Sequence, residues 1–289
     1  MQLSAVLAFD PLYALTNPKN LSVTVTTYRG TGDLSTIEQW ELEAAQRALT
    51  NLETLAYGSA NTAEIDSLNL IDARSQLLTL KANLYDELPQ LLSGQIAEAD
   101  QLMNQYVAES NGTWNQTQTT LHVTGMSSEE FLSGVSAFGL TDLVPGIPET
   151  LSSRQDNSIT DALIKEISLE FLFPVHPEHY EIITSPIGVV ETWNYIPTRT
   201  VIGIDFGDKP AFVTPYIDSG YLYYVGYAST LDGPIVTWVL QQFSDSDDGF
   251  DVDLRIWFPA ACPFDYFSLH SEHYAIEFKN GILLIADLL

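Results

Sequence analysis

The chain has 289 residues, 45% of them apolar, and its 38 Asp and Glu against 11 Lys and Arg leave a formal net charge of -27. That length can bury a core without covalent staples, the composition excludes a disordered chain, and the charge disfavours phosphate backbones and anionic lipid surfaces while favouring cationic partners or divalent ions. Cys262 is the one cysteine, so neither an intramolecular disulfide nor a thiolate metal cluster can form within a single chain.

Residues 1–16, MQLSAVLAFDPLYALT, lack a basic leading segment, and Asp10 and Pro11 interrupt the apolar run. No signal peptide is read there, and a cytoplasmic or particle-associated location is expected. No stretch approaches about 18 uncharged apolar residues, which argues against a membrane span. The sequons beginning at Asn20, Asn111 and Asn115 carry little weight without an export signal.

In residues 20–28 Leu21, Val23 and Val25 alternate with hydroxyl residues, the period of a half-buried strand. After Gly30 and Gly32, Ser35 and Glu38 form a capping-box pattern ahead of Ile37, Trp40, Ala44, Ala48, Leu52 and Leu55, a helical stripe that Gly58 closes. Asn61 with Glu64 repeats the start signal, and Ile65, Leu68, Ile71, Leu77, Leu78, Leu84 and Leu88 extend a second stripe to Pro89. A further helix is expected over about 90–108 through Ile96, Ala99, Met103, Tyr106 and Val107.

Residues 110–124, polar and rich in Asn, Gln and Thr, read as a loop or a solvent-facing strand. Ser127 and Glu130 then cap a short helix through Phe131, Leu132, Val135 and Phe138. Beyond residue 163 the pattern is β. Strands are predicted at 164–171, 179–184, 187–195, 199–206, 211–217, 220–228, 234–243, 250–258, 272–278 and 282–287, and Asn280-Gly281 supplies a hairpin signal between the last two. These readings give an α+β protein: a mainly helical region with a short strand over 1–110, a connector with a short helix over 111–162, and an antiparallel β-rich region over 163–289, as sheet, sandwich or open barrel.

Four of the five histidines fall in two copies of one pattern, Phe173, His176, Glu178, His179, Tyr180, Ile182 and Phe267, His270, Glu272, His273, Tyr274, Ile276. Six matching positions suggest a duplicated hairpin. Imidazoles and carboxylates together suit Zn, Fe or Mn, although the spacing matches neither the helical H-E-x-x-H nor the deaminase signature. On a strand His at i and i+3 face opposite sides, so ligation would need a turn at Pro177 or Ser271.

Asp245, Asp247, Asp248, Asp251 and Asp253 offer oxygen ligands for a Ca²⁺-binding turn, with Asp245, Asp247, Asp251 and Asp253 the chosen set, but Gly249 and Ile256 break the EF-hand pattern. Residues 204–207, IDFG, lack a Walker loop, an H-R-D and a glycine-rich cradle. Cys262 with His270 or His273 would make a thiolate-imidazole pair, against the plainer expectation of a buried inert thiol. No complete catalytic constellation is present. The expected function is a non-enzymatic interaction or assembly protein, either a component of a viral or bacterial particle or an acidic inhibitor or immunity-type binder, with a protein partner or self-assembly and no cofactor. The alternative is a metal-dependent hydrolase or oxygenase using the two His-x-Glu-His sets.

Overall fold

The structure, a computed structural model, describes residues 17, 19–84, 87, 91, 101–135, 182–184, 188–193, 196–204, 210–217, 222–230 and 234–288. Strands β1 (Ser22–Thr27) and β2 (Gly30–Asp33) precede helices α1 (Leu34–Tyr57), α2 (Thr62–Ile65), α3 (Leu70–Leu84) and α4 (101–110). Then come β3 (Trp114–Thr124), α5 (Ser128–Val135), β4 (Ile182–Thr184), β5 (Gly188–Trp193), β6 (Ile196–Ile204), β7 (Leu222–Thr230), β8 (Ile235–Asp245), β9 (Gly249–Pro259) and α6 (Phe264–Leu288). The fold is α+β, and its strands form one antiparallel sheet in the order β2-β1-β3-β9-β8-β7-β6-β5-β4.

β3 is a central strand. It pairs with β1 on one side and along its whole length with β9 on the other, from Trp114 opposite Pro259 to Thr124 opposite Gly249. Its alternation explains the placement: Thr117, Thr119, Leu121 and Val123 are buried, while the residues between them are partly exposed. β1 and β9 alternate in the same phase, so Val23, Val25, Val252, Leu254 and Ile256 join Leu121 and Val123 in one apolar layer. Helices α1, α5 and α6 cover that layer.

α6 is the axis of the core. Its buried residues lie on every side, from Tyr266 and Phe267 through residues 270–276 to Ile285 and Ala286, as expected of a helix enclosed by other elements. Here the structure corrects the sequence reading, since residues 272–278 and 282–287 are helix rather than two strands and Asn280-Gly281 is not a hairpin turn. A helix enclosed on every side carries buried residues at both even and odd positions, so short windows imitate strand alternation. The helical stripe Phe267, Ser271, Tyr274, Phe278, Ile282, Ile285 was present but was outweighed by the turn pair.

Other boundaries shift for local reasons. Asp33 rather than Ser35 caps α1: its carboxylate accepts from the Thr36 N–H at 3.1 Å, and the Thr36 hydroxyl returns a bond from the Asp33 N–H at 3.3 Å. Gly58, at φ 81°, closes that helix with its N–H on the Thr54 carbonyl, a left-handed position that suits glycine. The second stripe is interrupted after Ile65 and restarts at Leu70, where the Asn69 side chain accepts from the Asp72 N–H at 3.0 Å. Residues 211–217, predicted as a strand, form a turn and a short 3-10 helix (Thr214–Tyr216) with Pro215 in its first turn. The predicted strand at 164–171 lies outside the described residues.

Ser127 and Glu130 make the expected box at α5, with the Glu130 carboxylate accepting from the Ser127 N–H at 2.8 Å and the Glu130 N–H donating to the Ser127 hydroxyl at 3.1 Å. α5 lies so close to α6 that a Cβ on Gly134 would come within 2.4 Å of Ile285 Cγ2. Phe131 stacks on Phe250 with centroids 5.5 Å apart and meets Phe243 and Phe278 at 6.1 and 6.4 Å. Such ring pairs add about 0.5–1.5 kcal/mol each beyond the area they bury. A separate apolar cluster lies around Val213, Val225, Trp238, Leu240 and Trp257 on β7 to β9 and the 210–217 segment.

Candidate functional site

Of the paired His-x-Glu-His sets, His176, Glu178 and His179 lie outside the described residues. His270, Glu272 and His273 sit on α6, where a spacing of three puts the two histidines on neighbouring turns of one side. The protonated His270 Nδ1 donates to the Tyr266 carbonyl at 2.7 Å, and the ring meets Phe258 edge-on at 4.2 Å. Burial, with the neighbouring His273, holds the His270 imidazole well below its ordinary titration range. Glu272 instead reaches Arg29 at 3.3 Å; burial raises its carboxyl above the usual value and Arg29 opposes that rise. Arg29 also binds Glu43 at 3.1 Å and lies over the Trp40 ring. Among the described residues, no group of three or more His, Cys, Asp or Glu is placed to hold a metal ion.

The acidic β8–β9 turn makes protein contacts. Asp245 accepts from the Ser128 N–H at 3.0 Å, which lowers its carboxyl below the usual range and fastens the turn to α5. Asp251 meets His122 Nδ1 at 2.7 Å, and Asp248 stands 3.5 Å from His122 Nε2. Asp253 accepts from Arg255 at 2.9 Å and from Gln118 at 2.8 Å. Asp247 is exposed at the tip. Of the four aspartates proposed for a calcium turn, Asp245, Asp251 and Asp253 therefore turn to three different sets of protein partners, and Asp247 stands at the exposed tip. Cys262 is buried, and burial pushes its thiol up to about 12, so nucleophilic chemistry at neutral pH is not supported there.

The sequence reading missed a buried polar group. Glu41 of α1, Arg74 of α3 and Lys279 and Asn280 of α6 have no exposed surface. The Glu41 carboxylate accepts from Arg74, from Lys279 and, at 3.2 Å, from Asn280, and Arg74 donates to the Asn280 side-chain oxygen at 3.0 Å. Burial depresses the Lys279 ammonium, Glu41 raises it and Arg74 opposes that. The cluster ties three helices together and has no opening to solvent at these side chains. A signal existed: Glu41 interrupts the apolar stripe of Ile37, Trp40, Ala44 and Ala48, and Arg74 adjoins the buried Ala73.

The side of β1, β3 and β9 turned away from α6 is different in kind. Thr24 and Thr26 of β1 are exposed, as are Thr31 and Asp33 opposite them on β2. In register across the sheet, Thr26 faces Thr120 and then Asp253, while Thr24 faces His122 and then Asp251. The Thr26 and Thr31 hydroxyls are 3.0 Å apart. This polar side ends at Arg255, which lies over the Tyr216 ring of the 210–217 segment at 4.9 Å. No family model matches the chain and no curated protein is similar to it, so the residues themselves carry the functional reading.

Proposed function

We propose that this protein is a non-enzymatic binding protein, of the assembly or inhibitor type, for a partner that presents positive charge. The observation that carries this reading is where the basic side chains lie. The chain has 11 of them against 38 acids, and four are turned to carboxylates: Arg74 and Lys279 are buried against Glu41, Arg255 is held by Asp253, and Arg29 by Glu43 and Glu272. Cations placed this way do little to offset the acidic surface, which attracts a basic partner and raises its encounter rate. The same field repels nucleic-acid phosphates. Among the described residues no helix is long and apolar enough to cross a membrane.

The test is association with a basic probe, read together with metal content. The purified protein is expected to bind a fluorescent ten-residue polylysine with an affinity that falls steeply as salt rises, and to carry no stoichiometric transition metal. Absence of probe binding at low ionic strength would remove the proposal. Stoichiometric zinc, iron or manganese that is lost in both His176→Ala and His270→Ala would replace it with the metal-enzyme reading.

A further inference from the structure

We infer that the side of the β2-β1-β3-β9 sheet turned away from α6, which carries no α-helix among the described residues, is the docking surface, and that its occupant is an extended, lysine- or arginine-rich polypeptide segment; this rests on the reading of the protein as a binder of a cationic partner. Three features of that side point the same way. Among the described residues its acids, Asp33 at one edge and Asp248, Asp251 and Asp253 at the other, outnumber its cation, Arg255, which is already bound to Asp253. Between the acids stand Thr24, Thr26, Thr31 and Thr120, whose hydroxyl oxygens accept hydrogen bonds from ammonium and guanidinium groups. His122, in the same row, is bracketed by Asp248 and Asp251.

Size selects the kind of occupant. Strands about 4.8 Å apart, with β1 spanning six residues and β2 four, at about 3.3 Å per residue give a patch of at most roughly 14 by 20 Å. That is on the order of 300 Å², well short of the roughly 800 Å² per partner that a stable complex of folded domains buries. A segment of six or seven extended residues matches it, and its positive charge supplies the attraction that the small area does not. A second copy is disfavoured, because two such sides would bring acids against acids at -27 per chain.

The experiment compares two variants with the same change in net charge. Thr24→Lys/Thr26→Lys places two cations in the centre of the patch, and Ala63→Lys/Ser75→Lys places two on exposed helical positions. Binding of the full-length protein to fluorescent decalysine is measured by anisotropy, with thermal melts to confirm that both variants are folded. The patch variant is expected to bind at least about tenfold more weakly and the helical variant to stay within about twofold of the parent, the scale on which local electrostatic fields act. Equal weakening in both would overturn the docking site while leaving a cationic partner in place. Loss of binding in the parent protein itself would instead overturn the broader reading. Should the patch variant not fold, Asp248→Asn/Asp251→Asn replaces it, with weakening again expected and unchanged binding counting against the site.

Discussion

The two sides of the sheet at β1, β3 and β9 are made by the same strands and yet obey different rules. On one, Val25, Leu121, Val123 and Leu254 are almost completely buried beneath α6 and its neighbours. On the other, one residue away in each strand, Thr24, Thr26, Thr120 and His122 meet water. A period of two lets a single segment present a packed side and a polar side at once, because neighbouring residues point to opposite sides. Changes on the open side can therefore be made without disturbing the packed side of the same stretch of chain.

The sharpest way to break this contrast lies at the centre of the helical layer. Glu41→Ala removes the carboxylate on which Arg74 and Lys279 converge, and stranding two buried cations is expected to cost about 3–5 kcal/mol in urea unfolding without changing decalysine affinity in the folded fraction. Next, Leu121→Ala leaves a void in the covered layer and should cost about 2–5 kcal/mol. Removal of the α5 cap by Ser127→Ala is expected to cost about 1 kcal/mol. Thr26→Ala, on the open side, should fall within about 0.5 kcal/mol of the parent. Equal costs for Leu121→Ala and Thr26→Ala would show that the two sides are not distinguished as described.

One prediction concerns a slope. Burial keeps His270 neutral in the fold, whereas the unfolded chain takes up a proton there below about pH 6.5. The folded value being the lower one, the unfolded state binds more protons in that window, so the stabilisation is complete above it and declines as pH falls. His270→Gln lacks this proton, and its stability should decline less steeply on acidification, as urea titrations at a series of pH values would measure. An unchanged slope would mean that another group governs acid sensitivity.

Where a local device sets the structure, the sequence was informative. The Ser127–Glu130 box, the alternation in β1 and β9, and the stripe of α1 ending at Gly58 all act within a few residues, and the α+β class followed from them. Tertiary context was harder to read. α6 is helical because it is enclosed on all sides, and Lys279 and Asn280 gave a turn signal although both side chains are drawn into the core by Glu41 and Arg74. The polar composition of residues 110–124 left strand and loop undecided, since what fixes β3 is pairing with β1 and β9, far away in sequence. Of the duplicated motif, the described copy lies in a helix, where His270 and His273 share a side and Glu272 meets Arg29; the helical stripe that runs through it competes with the Asn280-Gly281 turn pair.

The partnership of β3 with β9 has a consequence for how the chain can be handled. Eleven consecutive residue pairs join segments more than a hundred positions apart, and Thr119 adds a hydrogen bond to the carbonyl of Ser271 in α6. A protease nick or an engineered break anywhere between these strands would sever the polypeptide without separating its halves. Each fragment would expose the apolar surface that the other conceals, so the two should be recovered together and should regain structure only when mixed.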